Sequence, residues 1–225
     1  MNTAIKILID NGHGYNTPGK ASPDKSLREW AWTREVARRI VAILKEHGHD
    51  AELLVPEDYD IMLTKTEYLY WNERMGSKKW SGRKAVRHRV GRVNDMCRIF
   101  GNKNVLCVSV HNNASGNGKD WYKAKGWLSM VSQNSSRESR MLCDCLMEEA
   151  LKTGLNTPLQ YADRSWWVKS LAITRETNCP AVLTENGFMD NKEECAWLLS
   201  EKGKETIVNL HVNAIEHYIN KMRSV

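Results

Sequence analysis

Short apolar runs alternate with longer segments of helical periodicity along the chain. The runs that predict buried strands are 5–10, 51–55, 105–110, 126–131, 171–174 and 181–185. Apolar residues recur every three or four positions in 32–44, 86–100, 142–150 and 207–222, as in amphipathic helices. This alternation predicts a three-layer α/β/α fold, with helices on both faces of a mainly parallel, twisted sheet. We expect a single domain over residues 1–225.

Polar residues at the ends of these segments support the boundaries. Ser26 lies three residues before Glu29, which is the spacing of a capping box and predicts the start of the first helix. Ser135 or Ser136 is the expected N-cap of the third helix, and Gly154 is expected to end it. The boundary residues therefore agree with the apolar periodicity.

The connection at about 57–85 is longer than a compact domain usually contains. It carries Trp71 and Trp80 among several lysines and arginines. Such an alternation can stack on sugar rings or bases. The other interpretation is a partly helical surface insertion whose tryptophans pack on the domain.

Composition narrows the class of partner without identifying one. The 225 residues are 41% hydrophobic and carry a net charge of +6, which suits an anionic partner such as a cell-wall polymer, nucleic acid or a membrane surface. Six scattered cysteines favour reduced, buried thiols. The amino end carries no targeting signal and no apolar run is long enough to span a membrane. We expect synthesis in the cytoplasm and no membrane insertion.

Side chains able to do chemistry follow three of the predicted strands. His13 and His111 each come after an apolar run, and Glu185 ends a third. The carboxyl ends of parallel strands lie at one edge of a sheet, where α/β proteins bind their ligands. Two imidazoles and a carboxylate are therefore expected to converge.

These residue types predict a metal centre. A hydrolytic zinc site uses three protein ligands and leaves a fourth position for water. Glu29, at the start of the first helix, is the nearest suitable partner for His13 and His111. Glu185 is then available as a proton carrier. Each residue alone has an ordinary structural explanation, but their joint placement favours a metal site.

Four short motifs also follow one another in a particular order. They are ILIDNGHG at 7–14, LRE at 27–29, SVHNNA at 109–114 and PAVLTENGF at 180–188. The series resembles the zinc-dependent N-acetylmuramoyl-L-alanine amidases of the amidase-3 family, over nearly the whole chain. Arg89 and Asn94 also fall where that family has an arginine and an asparagine. Asn11 departs from the family's usual proline, without touching the four candidate residues.

The resemblance implies a phosphorylase/hydrolase-like α/β domain that cleaves the amide between the lactyl group of N-acetylmuramic acid and L-alanine. Its partner would be peptidoglycan, with no nucleic acid expected. By position, His13, Glu29 and His111 would hold zinc, and Glu185 would carry the proton. Weaker candidates for contacts with the substrate are Asn113, Arg175, Trp166 and Trp167. No repeat-type wall-binding module is recognisable.

Two other classes of function stay open at this point. A cysteine peptidase would use Cys107 or Cys179 with a histidine. A non-catalytic module that binds the wall or nucleic acid would keep the scaffold and lose a ligand or the proton carrier, whereas all four positions are filled here. The missing signal peptide adds the expectation of an endolysin-like enzyme of a phage or prophage, released through a membrane lesion. The sequence does not set the oligomeric state.

Overall fold

The computed structural model describes residues 5–58, 82–160 and 162–223. Most of the predicted insertion at about 57–85, including Trp71 and Trp80, lies outside these residues. The strands are β1 Lys6–Asn11, β2 Asp50–Leu53, β3 Val105–Asn113, β4 Trp127–Val131, β5 Trp167–Val168 and β6 Ala181–Phe188. The α-helices are α1 Glu29–Glu46, α2 Gly82–Phe100, α3 Arg137–Lys152, α4 Ala172–Arg175, α5 Lys192–Leu199 and α6 Glu201–Arg223.

The strands form one mostly parallel sheet in the order β2-β1-β3-β6-β4-β5. β1, β2, β3 and β6 are mutually parallel, and β4 is antiparallel to β6. Alternate side chains of each strand enter two separate cores. One core packs α1, α3, α5 and α6 against Ile9, Val108 and Val182. The other packs α2 and α4 against Leu8 and Leu183. Helices therefore cover both faces, and the predicted three-layer fold is confirmed.

Several local predictions were wrong. Residues 171–174 form no strand; the amides of Thr174 and Arg175 donate to the carbonyl of Leu171 and close a helical turn. A short apolar run cannot separate a strand from a buried turn, because four residues are too few to show a period. The two-residue edge strand β5 and helix α5, which Asn191 caps through the amides of Glu193 and Glu194, were not predicted.

The predicted capping box at Ser26 is also absent. Arg28 precedes α1 and offers no side-chain cap, while the Ser26 hydroxyl donates to Asp24 instead. Glu29 is turned away from the helix amides, toward β3. The prediction for Ser136 is confirmed, since its hydroxyl accepts from the Ser139 amide at 3.1 Å.

Within the described part of the chain, no helix combines enough length with enough apolar character to cross a bilayer.

Candidate metal centre

His13, Glu29 and His111 meet at the carboxyl edge of the sheet. His13 follows β1, Glu29 begins α1 and His111 lies near the end of β3. Glu29 Oε1 is 3.0 Å from His111 Nδ1, and Glu29 Oε2 is 3.4 Å from His13 Nε2. One potential ligand atom from each residue lies within 4.8 Å of the others. The three predicted ligands are therefore placed where one ion can reach all of them.

One oxygen of the buried Glu29 carboxylate accepts no hydrogen bond. Its Oε1 accepts from His111 Nδ1 and from the Asn112 amide, but its Oε2 is buried and accepts no hydrogen bond. Leaving a buried carboxylate oxygen without a hydrogen bond costs about 1–3 kcal/mol or more. Burial acts to raise the pKa of Glu29, but the charges of His13 and His111 outweigh it and lower the pKa to about 2. An ionised carboxylate oxygen facing two imidazoles suits a divalent cation.

The loop that carries His13 is held in a strained conformation. His13 has a left-handed backbone with φ of 61°, which non-glycine residues rarely adopt. Its carbonyl accepts from two buried guanidinium groups, Arg34 Nη1 at 2.6 Å and Arg89 Nη2 at 3.1 Å. Arg89 also donates to Asp10 and to the Asn11 carbonyl. Two arginines thus fix the direction of the His13 imidazole.

Gly12 makes room for the second histidine. A Cβ atom on Gly12 would lie 2.4 Å from His111 Cε1. The Gly12 carbonyl accepts from Thr33 Oγ1 at 2.8 Å, which ties the same loop to α1. Any larger residue at position 12 would have to displace the His111 ring.

Glu185 lies beside the three residues, opposite His111 in the register of β3 and β6. The prediction that this strand ends at Glu185 was wrong: β6 continues to Phe188, and the register shifts between His111 and Asn113. Glu185 Oε2 is buried without a hydrogen-bond partner. Burial raises the pKa of Glu185 to about 7, with Glu29 adding to the rise and His111 opposing it. This carboxyl group can therefore both take and release a proton near neutral pH.

The four weaker candidates for contacts with the substrate lie in different parts of the structure. Asn113 caps its own turn through the Ala114 amide. Arg175 pairs with Glu176 and Ser170, and lines a cavity of about 560 Å³ at the amino ends of β3 and β6, away from the two histidines. Trp166 and Trp167 are half-buried against the two cores, and Trp167 Nε1 donates to the Pro158 carbonyl. A role in substrate binding stays a prediction for all four.

Arg34 and Asn186 support the two histidines and were not predicted from the sequence. Asn186 Nδ2 donates to the His111 carbonyl at 2.9 Å, and Trp127 Nε1 holds the amide oxygen of Asn186. Arg34 is a charged residue among the buried positions of α1, and this irregularity was the available signal. Both residues orient a histidine through its backbone carbonyl.

The structure gives no support to a cysteine nucleophile. Burial raises the pKa of Cys107 well above its ordinary value, and a hydrogen bond to Cys97 together with burial raises that of Cys179. Both thiols are buried and stay protonated at neutral pH, whereas a nucleophile must be the thiolate.

Comparison with known proteins matches nearly the whole chain to one protein family. Residues 7–217 match the family model described as N-acetylmuramoyl-L-alanine amidase. The chain is 31% identical over 214 residues to the endolysin of Bacillus phage SPP1, a match covering 95% of this chain and 66% of the endolysin. It is 22% identical over 217 residues to the sporulation-specific N-acetylmuramoyl-L-alanine amidase of Bacillus subtilis (strain 168), covering 96% of this chain and 69% of that protein. The chain thus spans about two thirds of these relatives.

Solved structures show the same fold. The CwlD amidase from Clostridioides difficile, in complex with the GerS lipoprotein, superposes with a TM-score of 0.73 at 21% identity, covering 96% of this chain and 99% of that one. The catalytic domain of the amidase CwlV from Bacillus (Paenibacillus) polymyxa gives a TM-score of 0.70 at 22% identity, covering 96% and 98%.

Proposed function

The chain belongs to the N-acetylmuramoyl-L-alanine amidase family, and from this premise we propose that it is a zinc-dependent hydrolase of peptidoglycan. The bond cleaved is the amide between the lactyl group of N-acetylmuramic acid and L-alanine. The observation that carries the proposal is the His13, Glu29 and His111 cluster with the buried carboxyl of Glu185 beside it. The similarity to a phage endolysin further supports action on the cell wall after lytic release.

The donor set fits zinc. Two imidazole nitrogens and one carboxylate oxygen form a ligand set found in hydrolytic zinc sites, and Glu29 Oε2, which accepts no hydrogen bond, would be free to contribute the carboxylate oxygen. When bound there, zinc supplies a Lewis acid, which can lower the pKa of water from ~15.7 to about 7. His13, Glu29 and His111 would hold it, with Arg34, Arg89 and Asn186 fixing the two histidines.

Glu185 would move the proton. As water attacks the lactyl carbonyl carbon, a Glu185 carboxylate oxygen takes a proton from it. The same carboxyl then protonates the alanine nitrogen as the carbon–nitrogen bond breaks, which restores the ionised glutamate. A pKa of about 7 suits both halves of this transfer, because neither protonation state is strongly disfavoured at neutral pH.

The reaction itself can be tested on purified wall sacculi. We expect the protein to release peptides that carry new L-alanine amino termini, while leaving the reducing ends of the glycan strands unchanged. Treatment with a chelator should stop the release, and added zinc should restore it. Digestion without new alanine termini, or digestion that survives removal of all metal, would contradict the proposal.

Two glutamate variants separate metal binding from proton transfer. Glu185→Gln keeps size and hydrogen-bonding capacity but cannot carry the proton, so we expect turnover to fall ~10²–10⁴-fold with bound zinc unchanged. Glu29→Gln, the matched variant, should lose zinc as well as activity, as measured by metal content per chain. Loss of zinc in Glu185→Gln, or retention of full activity, would remove Glu185 from the proposed role.

A further inference from the structure

A groove of about 440 Å³ adjoins the candidate metal centre and is lined by three cationic side chains, Lys20, Lys25 and Arg28. Arg28 directly precedes Glu29 in the chain. Lys20 also lines a cavity of about 360 Å³ that contains His13 and His111. The groove therefore shares Pro18 and Lys20 with the cavity beside the two histidines.

The side chains that line this groove give it a positive charge. No aspartate or glutamate is among the described residues that line it. The nearby Asp24 accepts instead from the hydroxyls of Ser22 and Ser26. Three like charges around one concavity repel one another, so an anion entering the groove would be favoured.

The loop that presents these cations is fixed by its own backbone. Lys20 and Lys25 have left-handed backbones with φ of 55° and 61°. The Lys20 carbonyl accepts from the Glu29 amide at 2.9 Å, the Lys25 amide donates to the Ser22 carbonyl at 2.9 Å, and Ala21 pairs with Arg28. Glycine or asparagine adopts this conformation more easily than lysine does. Lysine at two such positions in one groove indicates that the charge matters there.

We propose that this groove binds a carboxylate of the stem peptide that follows the scissile amide, an inference that rests on the proposed function. The lactyl carboxyl of N-acetylmuramic acid is consumed in the amide, so the muramyl side offers no carboxylate. The nearest anions of the substrate are therefore in the peptide. Lysine and arginine are the side chains that pair with carboxylates. The groove thus determines specificity on the leaving side of the bond.

The test uses an N-acetylmuramoyl peptide in two forms, with every carboxylate free or every carboxylate converted to a carboxamide. We expect the wild-type protein to favour the free form about tenfold in kcat/KM, mainly through KM, since each partly exposed pair is worth about two- to fivefold. Raised salt should reduce this preference. Combined Lys20→Gln, Lys25→Gln and Arg28→Gln substitutions should abolish it.

Two controls guard against a general loss of structure. Lys202→Gln removes an exposed lysine of α6, far along the chain, and should keep the preference. Lys20→Arg retains the charge and should keep most of it. Equal cleavage of both forms by the wild-type protein, or an undiminished preference in the triple variant, would overturn the carboxylate site. Failure to cleave either form would instead overturn the proposed function, and the groove's role with it.

Discussion

The direction of a single imidazole depends on residues that never touch the candidate ion. His13 sits in a left-handed conformation that costs of order 1–3 kcal/mol, and such a conformation persists only when its surroundings enforce it. Arg34 enforces it by joining the His13 carbonyl to the Glu57 carbonyl, which accepts from Arg34 Nη2 at 2.6 Å. Substitution of the outer residues that support metal ligands commonly changes metal affinity 10- to 100-fold.

Substitution of Arg34 by methionine tests this orientation. Arg34→Met keeps the length and apolar stem but removes all the donors, so we expect zinc affinity to fall about 10- to 100-fold. Arg38→Met, one helical turn further along α1, removes an exposed arginine that contacts Asp58 and should leave the affinity unchanged. Competition with a fluorescent zinc chelator measures both. Equal affinities in the two variants would show that the Arg34 contact does not orient His13.

Gly12 places a second constraint on the site, because a single added carbon atom would clash with His111. In Gly12→Ala the new methyl group would meet the His111 ring at 2.4 Å, so we expect the ring to move, zinc affinity to fall and activity to be lost. Gly91→Ala is the matched control, because nothing lies within 4 Å of the added Cβ in helix α2. That substitution should stabilise the protein by up to ~1 kcal/mol. A fully active Gly12→Ala variant would contradict the geometry around His111.

At the scale of elements, strands and long helices were predictable and short elements were not. β1, β3, β6 and α6 have buried runs or repeats long enough to show their period. The helix α4 and the strand β5 span four and two residues, too few for any period to appear. The N-cap at Ser136 depends on local chemistry and was predictable. The capping box at Ser26 was wrongly predicted because the Glu29 carboxylate hydrogen-bonds to His111 of β3, 82 positions away in the chain.

The buried contact between α6 and β6 predicts that acid lowers the stability of the folded protein. His211 of α6 is fully buried; its Nδ1 donates to the Ile207 carbonyl and its Nε2 accepts from Thr184 of β6. Burial lowers the pKa of His211 to about 4, from an ordinary 6.5, with the Ile207 carbonyl opposing this shift. The unfolded chain thus takes up a proton below pH 6.5 that the folded chain refuses until about pH 4. The free energy of unfolding should fall as pH drops through this window.

The free energy of unfolding is expected to fall by about 2 kcal/mol between pH 7 and pH 5, since each pKa unit corresponds to ~1.36 kcal/mol. Urea unfolding at the two pH values measures it. His211→Gln cannot take up the proton, so its fall over the same range should be smaller than that of wild type by this amount. An identical fall in both proteins would assign the acid sensitivity to other groups.

At the scale of the whole molecule, the approach of the candidate site residues was predictable because the strand topology, more than local detail, brings them together. Parallel strands have their carboxyl ends at one edge of the sheet. Recognition of the strands before His13, His111 and Glu185 was therefore enough to predict that these three residues lie close together. The supporting residues Arg34 and Asn186 were not predictable in this way. They act on backbone carbonyls, and nothing in a sequence marks which carbonyl a side chain will reach.

The same topology predicts that metal binding stabilises the whole domain. A bound ion would link the loop after β1, the start of α1 and the end of β3, three segments that separate on unfolding. Free zinc at a thousand times its dissociation constant should add ~4.1 kcal/mol to the free energy of unfolding, which corresponds to about 8–16 °C in Tm for a chain of this size. Scanning calorimetry of chelator-stripped protein with and without zinc measures the shift. His88→Ala, on the exposed face of α2, should keep it, whereas His13→Ala should lose it. Because zinc that bound elsewhere would stabilise both variants alike, an equal shift in the two would place the ion outside the cluster.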